Sequence, residues 1–225
     1  MKIEYLLFNL LVFAGPAAMS FEKQIYFFSK WRRAGLAIAP VALPFIVWDA
    51  AVTGRHWRFN SAYTLDWRVA GLPLEELLFF FTVPFAALFV WEVIGFYLPD
   101  RNSAVAGGFA VLLGLAPLPG LLAFLSGREY TGIMLVALGL TAALDRLLQT
   151  RLLTGRRVLY YFGATVVMNL ICNGYLTARP VVIYSEAYQL GMRLGTIPIE
   201  DFGYGFALIM LVTILYEKFR RVAPA

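Results

Sequence analysis

The chain has 225 residues, 60% of them hydrophobic and only 15% charged, with a mean hydropathy of +0.72 and a net charge of +5. That composition excludes an ordinary soluble domain, and the basic residues flank apolar segments without forming a stripe, which excludes nucleic acid as an expected partner. A single Cys and a single His exclude an internal disulfide, a cysteine metal site and a histidine metal centre, so no metal is expected.

A bilayer-spanning helix needs about 20 mostly apolar residues. Seven stretches qualify: 5–19, 34–52, 74–98, 104–125, 130–148, 159–177 and 199–215. The first lacks a small-residue cleavage site and is read as a retained helix, not a signal peptide. The second ends in Pro44-Phe45-Ile46-Val47-Trp48-Asp49, so Asp49 either faces a pocket or pairs with Arg55 as a helix-end carboxylate. Asn60 and Tyr63 occupy the loop before the third stretch. That stretch opens on Glu75-Glu76 and carries Glu92 towards its far end, where structural pairing with Lys or Arg is the expected role. Asn169 and Asn173 share one face of the sixth stretch, where interhelical hydrogen bonding is their commoner use. The seventh opens on Glu200-Asp201 and carries Glu217.

Polar residues recur in one register. Pro73-Leu74-Glu75-Glu76 returns as Pro198-Ile199-Glu200-Asp201, an offset of 125 positions. The same offset maps Tyr63 onto Tyr188, Arg68 onto Arg193, Glu92 onto Glu217, Glu4-Tyr5 onto Glu129-Tyr130 and Arg32 onto Arg157. A tandem duplication follows, with copies at 1–100 and 128–225 and a connecting helix within 101–127. On alternate loops, twelve Lys and Arg share one side and seven the other. The positive-inside rule then puts the N-terminus outside and the C-terminus in the cytoplasm. The expected fold is all-α: seven transmembrane helices in a parallel 3+1+3 repeat, related by an axis along the membrane normal.

Paired carboxylates opening an apolar helix are costly without a task or a partner. Acidic residues in a first turn also suit the macrodipole, and Pro73 and Pro198 suit the first helical position. Matched Tyr and Arg at the same spacing in both copies favour a site over that local reading. Successive helix positions point about 100° apart, so one carboxylate of each pair can face a pocket while the other meets a supporting partner. Arg68 and Arg193 are the natural partners. Two carboxyls in split environments can serve as proton donor and counter-ion.

These motifs resemble the integral-membrane lycopene cyclases, which occur as two small subunits, as a fused chain in archaea and some bacteria, and within fungal bifunctional enzymes. The resemblance rests on Pro44-Phe45-Ile46-Val47-Trp48-Asp49, Trp57-x-Phe59-Asn60-x-x-Tyr63, Gly71-Leu72-Pro73-Leu74-Glu75-Glu76-Leu77-Leu78-Phe79-Phe80, Gly191-x-Arg193 and Thr196-Ile197-Pro198-Ile199-Glu200-Asp201-Phe202-x-Tyr204. It covers nearly the whole chain in the fused layout. One departure between the copies is Ser185 where the first has Asn60.

The resemblance implies a lycopene β-cyclase in a multi-pass plasma-membrane protein, closing open carotenoid ends to β rings by an acid-initiated isomerisation with no net redox change. The substrate is lipid-soluble lycopene within the bilayer. Self-association or association with other carotenoid enzymes is compatible with it. No cofactor is expected, and the Gly-rich dinucleotide fingerprint of the flavin-dependent cyclases is absent. Glu75, Glu76, Glu200 and Asp201 are assigned to proton transfer and charge stabilisation. Asp49, Asn60, Tyr63, Arg68, Asn173, Tyr188 and Arg193 are assigned to substrate binding and orientation. The alternatives are a 3+1+3 transporter of small solutes and a cyclase for a longer C50 carotenoid. A retinal photoreceptor is excluded, because Lys2, Lys23, Lys30 and Lys218 all lie outside mid-membrane.

Overall fold

The computed structural model describes residues 2–222; residue 1 and residues 223–225, at the ends of the two expected copies, lie outside them. The helices are α1 (Glu4–Met19), α2 (Trp31–Val52), α3 (Leu74–Tyr97), α4 (Ala104–Leu115), α5 (Pro117–Leu125), α6 (Glu129–Leu147), α7 (Arg157–Ala178) and α8 (Ile199–Val222). Between α2 and α3 lie the short strands β1 (Trp57–Phe59), β2 (Arg68–Val69) and β3 (Leu72–Pro73). Between α7 and α8 lie β4 (Val182–Tyr184), β5 (Arg193–Leu194) and β6 (Ile197–Pro198). Apart from α4 and α5, each element of the first copy returns in the second.

Helices occupy all seven expected stretches, with two differences. The fourth is broken after Ala116, because Pro117 has no N–H to continue the ladder and instead opens α5. The last runs past residue 215 to Val222, through the ion-paired Glu217 and Arg220. Five segments are long and apolar enough to cross a bilayer: Phe27–Val52, Leu74–Tyr97, Ala104–Leu125, Glu129–Leu147 and Ile199–Arg221. α1 is too short at 16 residues, and α7, though 22 residues long, carries Asn169 and Asn173. Length and apolarity therefore mark five of the seven expected stretches, among the described residues, as able to cross.

Packing follows the repeat. α1 lies along α3 and α6 along α8, while α2 reaches across to α8 and α7 across to α3. α3 and α8 form the centre, burying Leu88, Trp91, Met210 and Ile214 almost completely. Between their acidic first turns and Glu92 or Glu217 each is apolar on most faces, as a helix with neighbours on several sides is. Leu10 and Leu11 of α1 and Leu112, Leu118 and Leu122 of α4 and α5 point outward, the pattern of a lipid-facing surface.

Three reciprocal contacts join the copies. β1 and β4 pair antiparallel, with Trp57 opposite Tyr184, Arg58 opposite Ile183 and Phe59 opposite Val182. Arg58 and Ile183 are equivalent positions, so the ladder is centred on a pseudo-twofold axis, as an isologous contact requires. At the opposite end of the bundle, the Tyr216 hydroxyl donates to Glu92 at 2.6 Å and the Trp91 indole to Glu217 at 2.7 Å. These pairs are equivalent too. Around the hairpins, Arg179 of the second copy pairs with Glu4 of the first at 2.7 Å, and Arg55 of the first with Glu129 of the second at 3.0 Å.

α5 and α6 meet through glycine. A Cβ at Gly139 would lie 2.1 Å from the Pro117 ring, and one at Gly132 would lie 2.8 Å from the Gly120 carbonyl oxygen. Close approach of this kind is how membrane helices gain packing energy. We expect Gly139→Val to destabilise by about 1–3 kcal/mol, read as a lower thermal midpoint of the purified protein in detergent. Gly163→Ala, whose methyl would meet nothing within 4 Å, should be neutral or slightly stabilising.

Candidate active site

Each acidic pair sits in the first turn of its helix and is split by the helical rotation. Glu75 and Glu200 are fully buried and turn towards their own copy's loop. Glu75 accepts the Leu65 amide at 2.7 Å, and Glu200 accepts the equivalent Leu190 amide, also at 2.7 Å. The Thr131 hydroxyl adds a second donor to Glu200 at 2.6 Å. These two carboxylates fasten the outer loops to the starts of α3 and α8.

The second member of each pair faces a central cavity of about 100 Å³, which has no lining contribution from Glu75 or Glu200. Glu76 accepts the Tyr5 hydroxyl at 2.6 Å, and Asp201 accepts the equivalent Tyr130 hydroxyl at 2.6 Å. Beyond that shared contact the copies diverge. Asp201 takes two further donors, the Tyr184 hydroxyl at 2.9 Å and the Asn173 amide at 3.2 Å. Glu76 instead lies within hydrogen-bonding reach of Asp49. Asp49 is 2% exposed and accepts the Trp57 indole at 2.7 Å, while its Oδ2 has no donor among the described residues. Its equivalent in the second copy is Gly174, so the third carboxyl belongs to one copy only.

Aromatic and apolar groups complete the lining. β1 and β4 roof the cavity with Trp57, Phe59 and Tyr184, and Phe79, Phe80 and Tyr204 close its sides. Burial, and then the Asp201 carboxylate, holds the Tyr184 phenol well above its ordinary pKa, which keeps it a hydrogen-bond donor. Among the described residues, no group of three or more His, Cys, Asp or Glu side chains is arranged to hold a metal ion.

Of the eleven residues expected at a site, Asp49, Glu76, Asn173 and Asp201 line this cavity; the other seven do not. Arg68 and Arg193 are not partners of the carboxylates. They sit on exposed two-residue strands, where Arg68 donates to the Thr64 hydroxyl and nearby loop carbonyls and Arg193 to the Thr196 carbonyl. Asn60 closes a local turn, accepting the Ala62 amide at 3.0 Å. Tyr63 and Tyr188 serve the joint between copies: Arg179 lies over the Tyr63 ring and Arg55 over the Tyr188 ring. Tyr188 also stacks on His56, whose Nε2 is 3.0 Å from Glu129. Burial holds that imidazole below its ordinary pKa, with Glu129 opposing.

Tyr5, Tyr130, Trp57, Tyr184 and Tyr204 are among the cavity groups that no sequence expectation assigned to a site. Tyr5 and Tyr130 had a signal, since they recur at the constant offset. Tyr184 had none, because its first-copy equivalent is Phe59.

Replacing Glu75 by Ala would leave the part-buried Leu65 amide without its acceptor. We expect a stability loss of about 1–3 kcal/mol, with faster backbone hydrogen exchange confined to residues 61–67, measured by mass spectrometry. Unchanged exchange there would refute the anchoring role.

The model of the lycopene cyclase family matches this chain twice, over residues 3–94 and again over 128–219. No curated protein and no solved structure matches it. The two matched segments coincide with the structural repeat and leave out α4 and α5, and together they cover most of the sequence. The chain belongs to the lycopene cyclase family.

Proposed function

We propose that this protein is a lycopene β-cyclase with one active site, built between its two copies. The observation that carries this reading is the cavity itself, where three carboxyl groups from both copies converge among aromatic rings. Closing an open carotenoid end needs a proton donor, a dry cavity that tolerates a carbocation, and a proton acceptor. Asp49 and Glu76 are adjacent buried carboxyls, which cannot both ionise cheaply and so hold a proton between them. That pair is the acid. It protonates C2 of the terminal alkene, and the resulting cation closes on the next double bond. Asp201, with three donors suited to an ionised carboxylate, faces the ring cation and takes the proton the ring gives up. Aromatic faces in the lining add about 2 kcal/mol each when desolvated. The proton count balances, and no electron leaves the substrate.

Glu75 and Glu200 then have a supporting role, holding the loops that carry Trp57 and Tyr184. The division into a first copy at 1–100, a connecting helix in 101–127 and a second copy at 128–225 is part of the same reading. So are seven crossings in a parallel 3+1+3 plan, an outside N-terminus, and residence in the plasma membrane. Supporting it, the reciprocal ladder of β1 and β4 runs about a twofold axis, and the Lys and Arg bias lies opposite the hairpins.

Expression in lycopene-accumulating bacteria with pigment chromatography tests the activity directly; persistence of lycopene alone would end the proposal. Asp49→Asn, Glu76→Gln and Asp201→Asn should each lower cyclisation by about a hundredfold or more, the upper range for a lost general acid or base. Glu75→Gln and Glu200→Gln should retain measurable turnover. Product formed in heavy water should gain one deuterium per ring, at the former C2. Ring product lacking that label would remove the carboxyl pair from the mechanism.

The topology has its own check. In a Cys172→Ala background, single cysteines placed in 53–72 or 178–198 should react with an impermeant maleimide on intact cells. Reaction only after lysis would reverse the orientation.

A further inference from the structure

The two copies are not equally closed around the cavity. Seven residues of α7 between Thr165 and Thr177, among them Met168, Cys172 and Leu176, lie along one face of the helix and line the cavity. From α2, which is equivalent to α7, only Asp49 does so. The positions equivalent to Met168 and Cys172 are Leu43 and Val47, and these are 64% and 60% exposed on the outside of the bundle. The packing matches this difference: α2 runs along α8 more extensively than α7 runs along α3.

A single aromatic pair accounts for the closed side. Phe45 of α2 is 7% exposed and its ring meets Tyr204 of α8 edge-on, with centroids 4.9 Å apart. The equivalent positions on the other side are Leu170 and Phe79. Leu170 is 42% exposed and turned outward, so nothing matching the Phe45 ring fills the crevice between α7 and α3. Higher up, that crevice is closed, because Phe8 of α1 stacks on Tyr175 with centroids 6.0 Å apart.

We infer that the crevice between α3 and α7 is the lateral entrance for the substrate, taking one end of the carotenoid from the lipid while the rest of the polyene stays outside. This rests on the cyclase reading and extends it. An apolar chain has no reason to enter from water, and the crevice walls suit it: Phe79, Phe80 and Val83 on α3, with Met168, Cys172 and Leu176 on α7. The closed α2–α8 side offers no second entrance. Each ring therefore needs a separate entry of one end, and a dicyclic product requires the monocyclic one to withdraw and turn round.

The repeat supplies an internal control. Trp at Cys172 or Met168 fills the crevice, whereas Trp at Val47 or Leu43 occupies the same helix position on the lipid face. We expect Cys172→Trp and Met168→Trp to lower lycopene turnover by about tenfold or more, as misplaced substrate does. Val47→Trp and Leu43→Trp should stay within about twofold of the parent, as surface changes do. Loss in the crevice pair alone supports the entrance; equal loss, or equal retention, in both pairs overturns it.

A second measurement needs no bulky variant. Cys172 is the sole cysteine, so its N-ethylmaleimide adduct, counted by mass, reports access to the crevice. In phosphatidylcholine vesicles, lycopene should slow adduct formation relative to carotenoid-free vesicles, and should do so equally in Glu76→Gln, where turnover is not required. An adduct rate indifferent to lycopene, in protein that turns lycopene over, overturns the entrance and leaves the cyclase reading standing. Protection of Cys172 in a parent chain that makes no ring overturns the cyclase reading and leaves the entrance standing.

Discussion

A carboxylate that opens a membrane helix has to find its donors inside the protein, because lipid offers none. Four such groups open α3 and α8, and much of the hairpin end of the molecule is arranged around supplying them. The loop amides of Leu65 and Leu190 each donate to one oxygen of Glu75 and Glu200, which pins those loops over the helix starts. The hydroxyls of Tyr5 and Tyr130 satisfy Glu76 and Asp201, which draws α1 onto α3 and α6 onto α8. The strands, in turn, cross the axis and roof the space between the two central helices. Loss of the Tyr5 hydroxyl would leave a buried Glu76 oxygen without its donor, at about 1–3 kcal/mol.

Duplication places equivalent groups on opposite sides of one axis, and this explains both the joint and the departures from symmetry. Contacts far from the cavity keep the symmetry: Trp91 to Glu217 matches Tyr216 to Glu92, and equivalent Glu4 and Glu129 each meet an Arg of the other copy, though the two Arg positions differ by one in the offset. Contacts at the cavity break it. By the repeat offset, Asp49 corresponds to Gly174, Trp57 to Val182, Phe59 to Tyr184 and Phe45 to Leu170. A symmetric pair of sites would need each of these to be matched. Their mismatch fits one site that draws different chemistry from each copy.

The duplication, the positions of the helices and the split of each acidic pair were legible in the sequence, because all three depend on spacing along one chain. A constant offset survives any tertiary arrangement, and two adjacent helix positions diverge by about 100° in any packing. The partners of Glu75 and Glu200 were not legible. The spacing pointed to Arg68 and Arg193, but the donor common to both copies is a backbone amide, which no residue type marks. The Arg over Tyr63 and the Arg over Tyr188 were not legible for a related reason: each comes from the other copy, across a distance in sequence that carries no periodic signal. The break at Pro117 was visible as a residue but not as a consequence, since its place against Gly139 depends on α6.

The proposed roles also bear on why the two copies belong in one chain. Taken alone, the first copy has the Asp49 and Glu76 pair but lacks Asp201 and its donors Tyr184, Tyr130 and Asn173. The second has Asp201 fully supported, with Gly174 where the other carboxyl would stand. An acid without its counter-ion would protonate the alkene into a cavity with no fixed charge to receive the cation, and a counter-ion without the acid starts nothing. Joining the copies through α4 and α5 keeps both halves at a fixed ratio, with the reciprocal Trp91, Tyr216, Glu92 and Glu217 contacts setting their register. That register brings Asp49 and Glu76 of one copy and Asp201 of the other to the same cavity, which the proposed proton-in, proton-out isomerisation needs.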